Sequence, residues 1–237
     1  MNLKYDFHLH SCLSPCGDND MTPYNLVNMA KLMGYDIIAL TDHNTCLNCP
    51  AAMEAGEEAG ITVVPGMELC TSEEIHTVCL FPTLEKALKF SDFVKSTMPP
   101  IKNKPEIFGQ QLIMDNLDNV LGEEDILLTT ASGISIDDVV NEVAKFDGAV
   151  FPAHLDRASY SVLSVLGFMY PEMNFTAAEF THKAFIPQYE EKHELLKGMK
   201  HLRNSDAHYL ENMVEASCEI DLPDCTPQAV VNYILNK

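Results

Sequence analysis

His8 and His10 stand two positions apart in a run that reads as a strand, Leu3 to Phe7 and on through Leu9. A pleated backbone sends alternate side chains to opposite sides, so both imidazoles share one side and Phe7 and Leu9 the other. Two imidazoles on one side can chelate a single Zn, Mn or Fe ion. His-x-His alone is a weak signal, because a half-buried ring satisfied by a backbone carbonyl is commoner than a ligand. The arrangement recurs along the chain, however. His43 lies in Thr41-Asp42-His43, Glu68 in Pro65-Gly66-Met67-Glu68, His76 in Glu74-Ile75-His76 and His154 in Pro152-Ala153-His154. Asp206 and His208 close Asn204-Ser205-Asp206-Ala207-His208. Independent structural histidines have no reason to gather at successive strand ends beside Glu68 and Asp206. Clustered divalent ions lower the pKa of a bridging water toward neutrality, so the chemistry in view is hydrolysis by a metal-activated hydroxide. His193 and His201 fall in charged sequence and read as surface, and His182 is left open.

The elements that must position these residues alternate in type. Short apolar runs at Leu3–Phe7, Asp36–Leu40, Ile61–Val64, Thr77–Phe81, Ala149–Phe151, Ala177–Phe180 and Glu219–Leu222 are interleaved with helical patterns. That is the rhythm of an α/β fold built from βαβ units. Thr22 is a suitable N-cap before Pro23, and Gly34 suits the end of that helix. A second helix runs from about Ala51 to Gly60, and a last one opens with Thr226 and Pro227. If consecutive parallel strands close into a barrel, their C-terminal ends converge on one face, where such enzymes do chemistry. The rhythm breaks between Phe81 and about Ile136, around Pro82, Pro99, Pro100 and Pro105. Within it, Thr83 to Lys104 is a basic window with Lys86, Lys89, Lys95, Lys102 and Lys104 against Glu85 and Asp92, so an inserted helical segment or lid is expected over about 83–135 of a single domain, 1–237.

Composition bounds the partners. The 237 residues, 46% hydrophobic, carry 15 Lys and Arg against 35 Asp and Glu, a net charge of −20 with His neutral. Such a surface repels long duplex nucleic acid and suits a small substrate. No apolar run reaches the roughly 18 residues of a membrane span, and the N-terminus lacks a signal-peptide core, so no membrane partner and a cytoplasmic protein are expected. Eight Cys are too few and too scattered for a disulfide framework. Cys12 and Cys16 flank the first loop and Cys46 and Cys49 follow His43. Four thiolates brought together could hold a structural zinc; the alternatives are thiols used for packing and a redox pair.

The ordered motifs resemble the PHP (polymerase and histidinol phosphatase) domain family, in particular its short stand-alone metal-dependent phosphoesterases. They are His-x-His, an Asp before Thr22-Pro23, Thr-Asp-His-Asn, Pro-Gly-Met-Glu, Glu-Ile-His, Ala-His-Leu-Asp-Arg and Ser-Asp-Ala-His, covering His8 to His208. The resemblance implies a distorted seven-stranded TIM-like (β/α) barrel with two or three divalent ions of Zn, Mn or Fe. It implies that His8, His10, Glu68 and Asp206 hold one ion, and that Glu68 bridges to a second held by His76 and His154. Asp18, His43 and His208 are implied as the third set. Ser-Cys-Leu-Ser-Pro-Cys-Gly after His10 is longer than the family's spacing, so Asp20 competes with Asp18, which keeps the spacing to Thr22-Pro23. Arg157, one of only two Arg, would grip phosphate oxygens, or else neutralise Asp156 or another carboxylate. His43 or Asp42 would pass a proton to the leaving group.

The expected activity is hydrolysis of a phosphomonoester or short phosphodiester, with a nucleotide or short RNA as first choice and His43, Arg157 and Asp206 as catalytic candidates. Histidinol phosphate is the alternative within that chemistry. Outside it stand an amidohydrolase-like reaction and a non-catalytic metal-binding regulatory module. The sequence does not determine the oligomeric state.

Overall fold

A computed structural model describes residues 1–237, the side chain of Lys183 excepted. The first half runs β1 (Asn2–Leu9), α1 (Pro23–Leu32), β2 (Ile37–Leu40), α2 (Cys49–Ala59), β3 (Thr62–Cys70) and β4 (His76–Leu80). Next come α3 (Leu84–Thr97), α4 (Pro105–Phe108), β5 (Leu112–Met114) and β6 (Val120–Glu123). The chain continues through α5 (Val139–Ala144), β7 (Ala149–Pro152), α6 (Val162–Val165), β8 (Ala177–Glu179) and α7 (Ile186–Lys192). It ends with β9 (Lys200–Leu202), β10 (Glu219–Asp221) and α8 (Pro227–Ile234). Local chemistry sets the helix ends as expected. The Thr22 hydroxyl accepts from the Asn25 N–H, Pro23 occupies the first turn where its missing N–H costs nothing, and Gly34 leaves the helix at φ 83°. Thr226 caps α8 in the same way, while α2 begins at Cys49, two residues before the expected Ala51.

The main sheet has the order β10-β1-β2-β3-β4-β7. β1, β2 and β3 are parallel, but β4 is antiparallel to both β3 and β7, and β10 is antiparallel to β1. The expectation of consecutive parallel strands therefore fails at β4. Residues 71–75 join β3 to β4, far fewer than the dozen or so a parallel crossover needs. In consequence His76 opens its strand, and the reversal places it opposite Cys70, at the same end as the C-terminus of β3.

β8 and β9 form a separate parallel pair between the two sides of the curled sheet. Leu155 N–H donates to the Glu179 carbonyl at 2.8 Å, and His10 N–H donates to the Ala207 carbonyl at 3.1 Å. The ladders thus describe an α/β half-barrel of six strands with an additional pair, where seven strands in one barrel were expected. One apolar cluster, with Ile38, Leu40, Met67, Phe81 and Phe90, lies under α1, α2 and α3. The other, with Phe7, Ile37, Val64, Val78 and Phe151, is covered by Val230, Val231 and Ile234 of α8. Phe7 and Leu9 fall in different clusters although they were expected to face the same way. A register shift in β1 between Asp6 and Leu9 separates them.

The 83–135 stretch is more than helical. α3 buries Ala87, Phe90 and Val94 in the core, and β5 and β6 form an antiparallel hairpin. The hairpin is pinned to the strand-end loops. Asn48 Nδ2 donates to the Leu112 carbonyl at 3.0 Å, its Oδ1 accepts from Met114 N–H at 2.9 Å, and Leu112 N–H donates to the Cys12 carbonyl. Lys86, Lys89 and Lys95 pair with Asp147, Glu85 and Glu124. No helix is long and apolar enough to cross a membrane.

Candidate metal centre

The Glu68 carboxylate, at the C-terminal end of β3, is the hub of the site. Ring nitrogens of His8, His10, His43, His76 and His154 lie 3.3, 3.3, 3.0, 2.8 and 3.2 Å from its oxygens. Asp206 adds a second carboxylate, 3.4 Å from His8 Nε2 and 3.1 Å from His10 Nε2. His8, His10, Glu68 and Asp206 bring four ligand atoms to one point, all four buried. Two further groups with metal-compatible spacing adjoin it, His43 with Glu68 and His76, and His10 with His43 and His208. The residues named for the first ion are the four brought together. His154 reaches Glu68 but belongs to none of the three groups, and neither Asp18 nor Asp20 does.

The surrounding hydrogen bonds set which nitrogen each imidazole offers. His8 Nδ1–H donates to the buried carboxylate of Glu179 at 2.9 Å, leaving the Nε2 lone pair pointing at Glu68 and Asp206. Ser14 Oγ gives its own proton to Asp42 at 2.7 Å, so it must accept from His10 Nδ1–H at 2.9 Å. His208 Nδ1–H donates to the Asp206 carbonyl. Lone pairs therefore face carboxylate oxygens across short gaps. His8 Nε2, His10 Nε2, His43 Nδ1, His154 Nδ1 and Asp206 Oδ1 are buried without a hydrogen-bond partner. Acceptor facing acceptor in a buried site is unfavourable unless a proton or a cation lies between them, so the donor set fits divalent ions.

In the bare protein the electrostatics favour a proton in those gaps, the place a cation would take. Burial alone would raise Glu68, but the imidazoles of His76, His8 and His43 outweigh it and hold the carboxyl well below the usual range. Asp206 is likewise lowered against burial, chiefly by His8. His8 is raised well above its ordinary value because Glu179, Asp206 and Glu68 overcome its burial, and His43 is raised mainly by Glu68. His154 and Asp206 also adopt φ of 29° and 53°, a region that non-glycine residues enter only when their surroundings hold them there.

Arg157 pairs with a carboxylate, but with Asp206 at 2.5 Å and not with Asp156, whose oxygens accept from Thr181 and His182. Its side chain remains 43% exposed on the rim of the site. The cysteines do not meet as a quartet. Cys46 and Cys49 are buried in the core with their sulfurs toward the Gly66 carbonyl, at 3.1 and 3.5 Å. Cys12 faces the Leu112 carbonyl, and Cys16 stands at the rim. Among the described residues no metal-compatible group contains a cysteine, so the structural zinc gives way to the packing alternative for Cys46 and Cys49. His182, His193 and His201 lie outside all three groups.

Several supporting residues escaped the sequence reading. Glu179 is fully buried and accepts from His8, from His154 N–H at 2.9 Å and from Asn204 at 2.7 Å. Its signal was a lone carboxylate closing the apolar run Ala177-Ala178. Ser14 orients His10 and is itself held by Asp42, named above only as a proton carrier, and Asp6 accepts from the backbone N–H of His8 and of Ser205. Tyr160 stacks on His76 with ring centroids 4.6 Å apart. Ser14 and Tyr160 carry no distinguishing sequence context.

A half-barrel whose strand ends converge on buried His, Glu and Asp defines a class of metal-site proteins, and the chain belongs to one family within it. It is a member of the PHP domain family, whose model matches residues 6–217. A 5′-3′ exoribonuclease of Haemophilus influenzae is 39% identical over 83 residues, 34% of this chain and 29% of that protein. The chain therefore matches less than a third of that relative's length. The lesion-specific endonuclease PfuEndoQ of Pyrococcus furiosus superposes with a TM-score of 0.65 at 16% identity, over 100% of this chain and 56% of that one. A provisionally assigned metal-dependent phosphoesterase of Bifidobacterium adolescentis gives 0.62 at 19% identity, over 98% and 95%. At these identities the two structures speak to the fold.

Proposed function

We propose that the chain is a metal-dependent hydrolase of phosphoester bonds, acting on a nucleotide or short oligonucleotide. The observation that carries this is the meeting of His8, His10, Glu68 and Asp206 at one buried point, with further imidazoles around the same Glu68 carboxylate. The nuclease names of the Haemophilus and Pyrococcus proteins support the substrate class. Two or three Zn, Mn or Fe ions would be held, one by His8, His10, Glu68 and Asp206 and another by Glu68, His76 and His154. When bound, such ions supply Lewis acidity toward phosphoryl oxygens and toward a water.

The chain's own groups do the rest. Glu179 and Ser14 fix the His8 and His10 rings by holding their Nδ1 protons, so the donor atoms need no reorganisation. Arg157 keeps Asp206 in place with one nitrogen and offers its remaining N–H groups to phosphate oxygens. His43, buried beside Glu68, is the group placed to hand a proton to the leaving oxygen. Beside Arg157 and Asp206 opens a cavity of about 510 Å³, lined by Arg203, Asn204, Ser205, Thr181 and Tyr35 among others. Both arginines of the chain face this space, which suits the remainder of a nucleotide. A net charge of −20 favours a short substrate over long duplex. Residues of about 83–135, pinned to the site loops by the hairpin, act as a cover.

The test is hydrolysis by chelator-stripped protein, with and without added Mn or Zn, read as release of inorganic phosphate from nucleoside phosphates and histidinol phosphate and as release of mononucleotide from short RNA. Metal-restored release from the nucleotide class is expected. No release from any ester by protein carrying bound ions would overturn the assignment.

A further inference from the structure

Tyr160 is a bulky residue held where the backbone favours Gly or Asn. Its φ is 55°, and an aromatic residue keeps such a conformation only when its surroundings impose it. Hydrogen bonds on both sides do so. The Tyr160 carbonyl accepts from His76 N–H at 2.8 Å, and the loop before it is closed by Arg157 N–H on the His154 carbonyl and by Ser161 Oγ on the Arg157 carbonyl. Ser161 is in turn fixed as the cap of α6 by reciprocal bonds with Ser164. The strained backbone lays the Tyr160 ring on the His76 imidazole, centroids 4.6 Å apart and planes 21° from parallel. One face of the ring is thereby covered, yet the residue remains 47% exposed, so an aromatic surface is left open beside a ring that reaches Glu68. His76 and Asp206 belong to different groups that share Glu68, so Tyr160 on the one and Arg157 on the other border the site at different points. The cavity suited to the remainder of a nucleotide opens beside Arg157, and Tyr160 does not line it. Both Arg of the chain face that cavity, and a net charge of −20 leaves little with which to attract a second arm of an anionic substrate. Stacking needs no charge, and every base has a π-face to offer an open aromatic ring.

We infer that Tyr160 is a stacking platform for a nucleobase, the base across the scissile phosphate from the one housed in the cavity. The preferred substrate is then an oligonucleotide of at least two bases and not a mononucleotide. This rests on the hydrolase reading above, which it deepens. Tyr160 binds and orients the second arm and takes no part in bond breaking.

Dinucleotides with an abasic sugar at one position or the other, given to metal-loaded protein, test the pairing of ring and base as a cycle with Tyr160→Leu. One of the two abasic substrates should cost wild type about 10–100-fold in kcat/KM, carried mainly by KM. Tyr160→Leu should lose a similar factor on the intact dinucleotide and nothing further on that abasic one, while Tyr160→Phe, which keeps the ring, should retain the wild-type penalty for the missing base. Equal losses by Tyr160→Leu on intact and abasic substrates would mean that the ring only steadies His76, and would overturn the platform. The chain has no Trp, so Tyr160→Trp supplies a single indole at this place and keeps a ring over His76 even where Tyr160→Leu disturbs the centre. Its fluorescence should be quenched by an uncleavable dinucleotide with a methylene phosphonate linkage, and not by the same compound lacking the stacked base. Absence of quenching by the intact compound overturns the platform. Cleavage with no penalty at either abasic position overturns Tyr160 alone, whereas loaded wild type that cleaves no phosphate ester overturns the hydrolase reading and the platform with it.

Discussion

Single protons decide what the site residues can do. Glu179 holds the His8 Nδ1 proton, and Glu179→Ala leaves that buried N–H unpaired and the ring free to turn. Metal affinity should fall about 10–100-fold, and stability by about 1–3 kcal/mol. Glu179→Gln, whose amide oxygen still accepts, should lose less, and titration with a competing chelator ranks the three proteins. The raised His8 and His43 have a second consequence. In stripped protein their pairing with carboxylates contributes stability in full below the ordinary value of 6.5, and that contribution is lost as pH rises through the raised folded value. The lowered Glu68 contributes above its ordinary 4.5, and loses its contribution as pH falls through its depressed value. Metal competes with those His protons, so loading at neutral pH should acidify a weakly buffered solution, and ion affinity should weaken as pH falls. Loading with no proton release would contradict the protonated His8 and His43.

Among the elements, β3 matters most, because it carries Glu68 and pairs with strands of both directions. Gly66 lies two residues before Glu68, and a Cβ there would stand 2.5 Å from the Cys79 carbonyl oxygen of β4. That contact is with backbone, so the β3–β4 ladder must move. Gly66→Ala should cost on the order of 1–3 kcal/mol and also lower metal content, since the displaced strand takes Glu68 with it. Thr22→Ala is the matched contrast. It removes the α1 cap for about 1 kcal/mol and should leave metal content unchanged. Thermal melts with metal analysis on both variants separate strand placement from general destabilisation.

For the whole molecule, the site draws on residues from His8 to His208, so ions bound there tie the two ends of the chain together. A ligand that binds only the folded state stabilises it by about 2.7 kcal/mol at 100 times its Kd. Chelation should therefore lower Tm, and returning metal should restore it in proportion to the logarithm of free ion. A Tm indifferent to chelator would mean that the convergent His and carboxylates bind no ion. The charge of −20 acts on the same scale, through a field that salt screens.

The alternation of elements, the caps at Thr22 and Thr226 and the meeting of His8, His10, Glu68 and Asp206 were legible in order because each depends on residues near in sequence or on an ordered series of motifs. The direction of β4 was obscured because a strand looks alike from either end, and only the short 71–75 link and the ladder orient it. The shift in β1 left no mark on the alternation of Phe7, His8, Leu9 and His10, since it arises from pairing with β2. Glu179 emerged as the holder of His8 only when β8 was set beside β1, across 171 residues. The cysteines show the division most clearly. Spacing alone suggested a zinc quartet, whereas close packing buried Cys46 and Cys49 in the core and left Cys16 exposed. Sequence determines residue types and local backbone preferences, but which donors share a point is set by the packing of distant segments against one another.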